Sequence, residues 1–188
     1  MRTEGKIRAY GASVESMDEA LECLKYPGCT SLQIIFNIFR QKPVTELFKK
    51  AKDRGVAIIV RLPLASGLLS GKMTAARTFG AEDHRSYNRN GEKFNVGETF
   101  AGLPFEKGLE IVEELRPLVP EGMTMTQMCS AACAGFPAVT TVIPGAKSPE
   151  QARENSLAGH LPPLPEPLYD RLSALYHTSV EPFIRGPY

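Results

Sequence analysis

The residues best suited to chemistry lie at positions 143–155, where the chain reads Ile-Pro-Gly-Ala-Lys-Ser-Pro-Glu-Gln-Ala-Arg-Glu-Asn. Ser148 is a favourable N-cap residue, Pro149 suits the first position of a helix, and Gln151 can complete a capping box. A helix that begins here presents unpaired N–H groups and the positive end of its dipole, and both favour an anion. The segment therefore predicts a phosphate site at the start of a helix.

Three more residues of this segment bear on the phosphate interpretation. Gly145 lets the backbone come close to a ligand, and Lys147 and Arg153 carry positive charge. An ordinary capped helix with solvated basic residues would show the same pattern, so the segment alone leaves both interpretations open. The preceding residues, Val-Thr-Thr-Val, are typical of a strand, which places the candidate site at a strand-to-helix junction.

The elements that position these residues belong to one domain, residues 1–188. Lys and Arg number 22 against 21 Asp and Glu, so no overall field favours nucleic acid or a membrane surface, and anion binding must be local. No apolar run approaches the roughly 20 residues of a membrane span, and the N-terminus lacks the apolar core of a signal peptide. We therefore expect a cytoplasmic protein with no nucleic-acid or membrane partner.

The four cysteines, Cys23, Cys29, Cys129 and Cys133, lack the spacing of a zinc ribbon. Cys129 and Cys133 lie four residues apart on a predicted helix and share a face, so a metal or redox role is conceivable. Small buried side chains are the favoured interpretation, and we expect no metal site.

Four β-rich runs, each followed by helical sequence, predict βαβ units and a parallel sheet. The runs cover residues 6–13, 31–39, 56–62 and 139–143. A capping box of Ser16 and Glu19 opens the first helix, and the second extends from Pro43 to Gly55. Further helices are expected at 105–118 and after Thr124.

Two segments fall outside this alternation. Residues 73–102 form a polar, Gly-containing stretch that is too long for a plain connection, so we expect a lid or binding loop on the ligand side of the sheet. Residues 161–188 form a C-terminal extension that begins Pro-rich and carries a short helix.

Ligands of parallel α/β folds bind at the carboxyl ends of the strands. There, this chain has the Gly/Ser/Lys-rich residues 63–72 and 144–147, and two such loops side by side strengthen the phosphate interpretation. Gln33, within the second strand, could serve a ligand amide or equally a loop backbone. Arg61, at the end of the third, could stack on a ring, pair with phosphate or equally face water.

Residues 5–13, Gln33, residues 63–72 and residues 143–155 resemble, in the same order, motifs of the aldo-keto reductases. That family consists of (β/α)₈-barrel enzymes that transfer hydride between NADPH and a carbonyl compound. The similarity is greatest to the bacterial branch that includes the potassium-channel β-subunit-like reductases. The resemblance implies an α/β fold that is half of a (β/α)₈ TIM barrel, with four parallel strands, covering helices and the fifth to eighth βα units.

The resemblance also implies that NADP(H) binds along these strand ends. Ser13 and Gln33 would hold the nicotinamide carboxamide, and Arg61 takes the place of the aromatic residue that usually stacks under the ring. The pyrophosphate would be wrapped by six residues of the third loop, Pro63, Leu64, Ala65, Ser66, Gly67 and Lys72. The adenosine phosphates would face Gly145, Lys147, Ser148 and Gln151, with Glu154 and Asn155 on the adenine. Arg85 and Tyr87 of the long loop would close over the cofactor.

The Asp, Tyr, Lys and His that catalyse the family's reaction belong to the first half of the barrel, and no residue of this chain stands in a matching motif. We therefore expect no catalytic residue here, and a chain that is inactive alone. One alternative is a non-catalytic nucleotide-binding or assembly module, and a weaker one is a phosphosugar-binding half-barrel.

Four strands cannot close a barrel, so the inner face of the sheet would be open. We assign to that face the apolar residues Ile35, Ile58, Val60 and Val142. Such a surface predicts a partner, which is either a second copy of the chain or a complementary half-barrel chain.

Overall fold

A computed structural model describes residues 1–186 and 188, and its centre is a four-stranded sheet. The strands are β1 (Tyr10–Ser13), β2 (Cys29–Ile35), β3 (Ala57–Arg61) and β4 (Val139–Ile143). All neighbouring strands pair in parallel, in the order β1-β2-β3-β4. The prediction of four parallel strands with covering helices is confirmed.

The first two strands are shorter than the predicted runs. Before β1, Gly5 adopts φ +69 and its N–H donates to the carbonyl of Arg2, so a turn uses backbone groups that a strand would pair. After β2, the Asn37 side chain accepts the N–H of Phe39 at 2.9 Å and reverses the chain. Local hydrogen bonds therefore limit both strands to fewer residues than hydrophobicity alone predicts.

Eight α-helices surround the sheet among the described residues. They are α1 (Met17–Cys23), α2 (Lys42–Glu46), α3 (Phe48–Asp53), α4 (His84–Tyr87), α5 (Phe105–Leu115), α6 (Met125–Ala134), α7 (Pro149–Ala158) and α8 (Glu166–Leu175). The predicted capping box of Ser16 and Glu19 opens α1. None of the helices in this part of the chain is long and apolar enough to cross a membrane.

The predicted second helix is divided into α2 and α3. Leu47 separates them with φ −116 and ψ −46, although its N–H still donates to Pro43 and its carbonyl still accepts from Ala51. The apolar face nevertheless packs as predicted, since Leu47, Phe48 and Ala51 are all buried. The later helix at 105–118 ends its α-helical part at Leu115 and continues as one 3₁₀ turn.

One face of the sheet is covered by α1, α2 and α3. Leu32, Ile34, Ile58 and Val60 point into this layer and are at most 1% exposed. The prediction that Ile58 and Val60 lie on an open inner face was therefore wrong, because alternate strand residues point to opposite faces and these two face the helices. Val142 packs against the same layer, so its assignment to the open face was also wrong.

The opposite face of the sheet has no helical cover among the described residues. Ser13, Gln33, Ile59 and Thr141 lie in register across its four strands, and each is partly or fully exposed. Ile35, which shares this side, is only 4% exposed, so it is not part of an open surface as predicted. The uncovered face is thus more polar than expected.

A second core lies between the loop after β3, helices α5 and α6, and the C-terminal extension. Leu164, Leu168 and Leu172 of the extension are buried in it. Near the end of the chain, Arg185 donates to the carbonyls of Gly102 at 2.9 Å and Leu103 at 3.1 Å. The extension therefore fixes the base of the long loop.

Candidate functional site

A cleft of about 790 Å³ lies beyond the carboxyl ends of β3 and β4. Its walls are the loop after β3, the first part of the long loop and the β4–α7 connection with the exposed side of α7. Ten predicted cofactor residues line it: Pro63, Leu64, Ser66, Gly67, Lys72, Gly145, Lys147, Gln151, Glu154 and Asn155. Two loops that are far apart in sequence therefore share one cavity, and Arg85 and Tyr87 of the long loop line it as well.

Five predicted residues are not among those that line the cleft. Ser13 and Gln33 pair in register on the uncovered face of the sheet. Ala65 is 1% exposed, so its side chain belongs to the core. Ser148 accepts the Gln151 N–H at 3.3 Å and caps α7. The side chain of Arg61 is 13% exposed and pairs with Glu98.

The loop after β3 has an unusual backbone. Leu62, Ala65 and Ser66 adopt φ values of 56, 46 and 56, in the left-handed region that residues with a Cβ rarely occupy. Such conformations cost on the order of 1–3 kcal/mol each and persist only where the surroundings hold them. Gly67 follows with φ +98.

Ser66 is the point at which this loop is held. Its hydroxyl donates to the carbonyl of Glu98 at 2.8 Å and accepts the N–H of Phe100 at 3.2 Å. The Nε2 atom of His84 lies 3.4 Å from the same oxygen, and Arg85 donates to the Ser66 carbonyl at 3.3 Å. The Ser66 hydroxyl is therefore committed to the long loop, which leaves chiefly the backbone of this turn for a ligand.

Arg61 connects three elements. Its Nε and Nη2 atoms donate to Oε1 of Glu98 at 3.1 and 2.6 Å. Its Nη1 atom donates to the carbonyl of Val14, beyond the end of β1, at 2.9 Å. The guanidinium therefore crosses the ends of the strands and does not face water.

A second ion pair stiffens the wall formed by the long loop. Arg85 donates from Nε and Nη2 to the two oxygens of Asp83 at 2.9 and 2.6 Å, and its guanidinium stacks over Phe79 at 4.4 Å. Because Arg85 bonds and attracts this carboxylate, the pKa of Asp83 is held well below its usual range. Asp83 therefore remains charged at all physiological pH values.

The wall formed by the β4–α7 connection differs in one detail from the prediction. Ser148 caps α7 as expected, but Gln151 does not complete the capping box. Its Oε1 atom instead accepts the N–H of Lys147 at 2.7 Å. Asn155 donates to the carbonyl of Gly145 at 3.1 Å. These bonds fix the backbone on which the Lys147 side chain stands at the edge of the cleft.

The charges in the cleft are nearly balanced. The cations Lys72, Arg77, Arg85 and Lys147 line it together with the carboxylates Glu82, Asp83 and Glu154. Asp83 is neutralised by Arg85, and Glu154 lies 4.0 Å from Lys72 and accepts a hydrogen bond from Thr124. Lys147 and Arg77 have no ion-pair partner among residues 1–186 and 188, and of these two Lys147 stands beside the start of α7, where an anion would meet it.

The sequence did not point to Glu98 as the partner of Arg61 or to Arg77 as a cleft residue. The only signal for either was its place in a polar loop too long for a plain connection. Within the described residues, no group of three or more His, Cys, Asp or Glu side chains could hold a metal ion. Burial raises the pKa of the Cys133 thiol to about 12 and also raises that of Cys129, in keeping with their interpretation as small core residues.

Residues 1–177 match the family model described as "Aldo/keto reductase family". The match covers most of the chain, which therefore belongs to this family of oxidoreductases. A protein of Escherichia coli (strain K12) named "NADH-specific methylglyoxal reductase" is 29% identical over 159 residues, which are 84% of this chain and 45% of the relative. A "Probable voltage-gated potassium channel subunit beta" of Arabidopsis thaliana is 30% identical over 140 residues, 71% of this chain and 39% of the relative.

Solved structures of the family share the fold. The glycerol dehydrogenase AKR11B4 from Gluconobacter oxydans superposes with a TM-score of 0.72 at 23% identity, over 100% of this chain and 54% of that chain. The holo form of aldo-keto reductase AKR11C1 from Bacillus halodurans gives a TM-score of 0.66 at 24% identity, over 93% and 52%. The chain therefore spans about half the length of its relatives, and its four βα units correspond to part of a (β/α)₈ barrel.

Proposed function

We propose that the cleft binds a nicotinamide dinucleotide, with NADP(H) as the expected form, and that the chain supplies this site to a reductase of carbonyl compounds. The observation that carries the proposal is the meeting of the β3 loop and the β4–α7 connection in one cleft. When bound, the cofactor would supply the hydride. The residues of this chain would bind and orient it.

The residues present fit such a ligand. Gly145 lines the cleft, and a Cβ added there would meet no atom within 4 Å, so the backbone borders open space. In the proposed arrangement the diphosphate would pass along the β3 loop, from Pro63 to Lys72, and the adenine would lie near Glu154 and Asn155, which line the same cleft. The bound cofactor would extend from the cleft to Ser13 and Gln33 on the uncovered face, where its carboxamide would bind.

Lys147 supports NADP(H) as the expected form, because a 2′-phosphate adds negative charge that an unpaired lysine can meet. The relative named NADH-specific methylglyoxal reductase makes NADH the necessary comparison. Titration of the chain with NADPH and NADH by calorimetry measures the preference directly.

A matched pair of glycine variants tests the location. Gly145→Trp would fill the adenosine end of the cleft, whereas Gly80→Trp places the same side chain in open space at a position that does not line it. We expect Gly145→Trp to abolish dinucleotide binding and Gly80→Trp to leave it unchanged. Equal affinities for the two variants would reject the site.

Catalysis is the second part of the proposal. Carbonyl reduction needs a general acid within hydrogen-bond reach of the substrate oxygen, and we assign that role to no residue of this chain. We propose that a complementary half-barrel, from a second copy or another chain, supplies it. We expect the chain alone to bind dinucleotide but not to turn over an aldehyde panel. Turnover should appear after a complementary half is added.

The uncovered face of the sheet also favours a second candidate, a non-catalytic nucleotide-binding or assembly module. This candidate predicts binding without turnover even in the assembled protein. A phosphosugar-binding half-barrel, the weaker alternative, would instead bind ribose 5-phosphate more tightly than NADPH. Calorimetric titration with ribose 5-phosphate tests the phosphosugar alternative, and the aldehyde assay of the assembled protein tests the non-catalytic one.

A further inference from the structure

We propose that Arg61 and Glu98 are positioning residues whose ion pair holds the loop after β3 in its strained shape. The inference rests on the proposed dinucleotide function, since the ligand part concerned is the diphosphate that this loop would contact. Arg61 is not among the residues that line the cleft, so the effect must pass through Glu98 to the loop.

The Arg61–Glu98 pair is largely buried and well directed. The side chains of Arg61 and Glu98 are 13% and 22% exposed, and each guanidinium nitrogen of Arg61 donates a hydrogen bond. An ion pair that is shielded from water and has more than one charge-assisted bond is stronger than an exposed pair. It therefore ties the end of the long loop firmly to the ends of β1 and β3.

The backbone of Glu98 is bonded to the strained turn. The Glu98 carbonyl accepts the Ser66 hydroxyl at 2.8 Å, and the same hydroxyl accepts the N–H of Phe100 at 3.2 Å. Phe100 and Ala101 also adopt positive φ values, 54 and 59. Two strained segments thus hold each other, and the side chain of Glu98 is the point at which Arg61 fixes them both.

Without the pair, a bound diphosphate would meet a different backbone surface. Ser66 and Gly67 line the cleft, and their left-handed backbone persists only while the surrounding bonds hold it. Release of Glu98 would let this turn relax toward ordinary φ values and change the backbone surface that meets the diphosphate. The adenosine end, built on α7, shares none of these bonds.

The test compares two probes in calorimetric titrations. ADP-ribose carries the diphosphate, whereas adenosine 2′,5′-bisphosphate lacks it. For Arg61→Met and Glu98→Met, we expect ADP-ribose affinity to fall about tenfold, the effect of one lost charge-assisted contact, and bisphosphate affinity to stay within about twofold. Glu98→Gln keeps the acceptor oxygen and should restore most of the affinity.

Lys49→Met is the control, because it removes an exposed ion pair with Asp53 on α3, away from the cleft. Unchanged ADP-ribose affinity in Glu98→Met, or an equal fall for both probes, would overturn the positioning role. If the native chain binds neither probe, the dinucleotide proposal itself fails, and the positioning role falls with it. Should Arg61→Met not fold, the comparison of Glu98→Met with Glu98→Gln decides the question.

Hydrogen exchange without ligand gives an independent measurement. The amides of residues 62–71 should exchange faster in Glu98→Met than in the native chain, while those of α7 should keep their rates. Unchanged exchange in the β3 loop would overturn the inference even if binding were weakened.

Discussion

In the proposed site, Lys147 is the residue that would discriminate between nicotinamide dinucleotides. Its backbone N–H is held by Gln151 at 2.7 Å, so the side chain leaves from a fixed point. Lys147→Met should lower NADPH affinity about tenfold and NADH affinity less than threefold, since only NADPH has the additional phosphate. Calorimetric titration at low salt provides the measurement.

Arg153 offers the matched control for Lys147. It lies on α7, which begins two residues after Lys147, is 75% exposed at its side chain and lies 3.9 Å from Glu150. Arg153→Met should leave both affinities unchanged, because this cation is outside the cleft. An equal loss for both cofactors in Lys147→Met would show that the lysine does not select for the 2′-phosphate.

Asp83 allows a prediction of pH dependence. Its pKa in the folded chain is lowered by Arg85, whereas an Asp in an unfolded chain has a pKa of about 3.9. A lowered pKa contributes stability that is complete above the unfolded value and is lost as the pH falls through the folded value. The native chain should therefore be more stable than Asp83→Asn. Above about pH 5 the difference in free energy of unfolding should be constant, at roughly 1–2 kcal/mol.

Below about pH 4 that difference should shrink, as denaturant titrations at several pH values would show. Glu82→Gln is the control, because Glu82 is an exposed carboxylate beside Asp83 in the same loop. Its effect on stability should be close to zero throughout. A difference for Asp83→Asn that grows as the pH falls would contradict the assigned ion pair.

Among the elements, the long loop is held together by hydrogen bonds of Asn88, whose side chain is fully buried. The side-chain oxygen accepts the N–H groups of Lys93 and Phe94, both at 2.9 Å, and the amide donates to Thr99 at 3.2 Å. Asn88→Ala should lower the free energy of unfolding by about 2–3 kcal/mol, because buried backbone groups lose their partners.

Ser86→Ala is the control for Asn88→Ala. It removes one exposed hydrogen bond, to the Phe79 carbonyl, from the same loop. Its cost should stay below about 1 kcal/mol. Faster hydrogen exchange at Lys93 and Phe94 in Asn88→Ala would confirm the mechanism, whereas unchanged exchange there would contradict it.

How far the sequence predicts each element depends on how local its determinants are. The cap of α7 by Ser148 follows from adjacent residues, and β4 follows from an apolar run, so both could be read directly. The partner of Arg61, in contrast, depends on a contact with a distant segment. Glu98 lies 37 positions from Arg61, and no local pattern connects the two. The left-handed turn at Ala65 and Ser66 is likewise bonded to the distant residues Glu98 and Phe100.

At the scale of the whole molecule, the sheet has one face without helical cover among residues 1–186 and 188, and two edge strands, β1 and β4. Ile59 and Ile143 lie on that face among polar neighbours, and Ile143 is 46% exposed. Unpaired parallel edges and exposed apolar side chains favour association. Because β1 and β4 run parallel in the same sheet, two copies could pair β4 of each with β1 of the other.

We therefore expect the chain to exceed its monomer mass of 20.6 kDa in solution. Ile143→Lys places a charge on the uncovered face and should shift the protein toward monomer in sedimentation experiments. Leu157→Lys is the matched control, because Leu157 is a 55% exposed apolar residue on α7 and should leave the mass unchanged. A native chain that is monomeric and binds no hydrophobic dye would show that this face needs no partner.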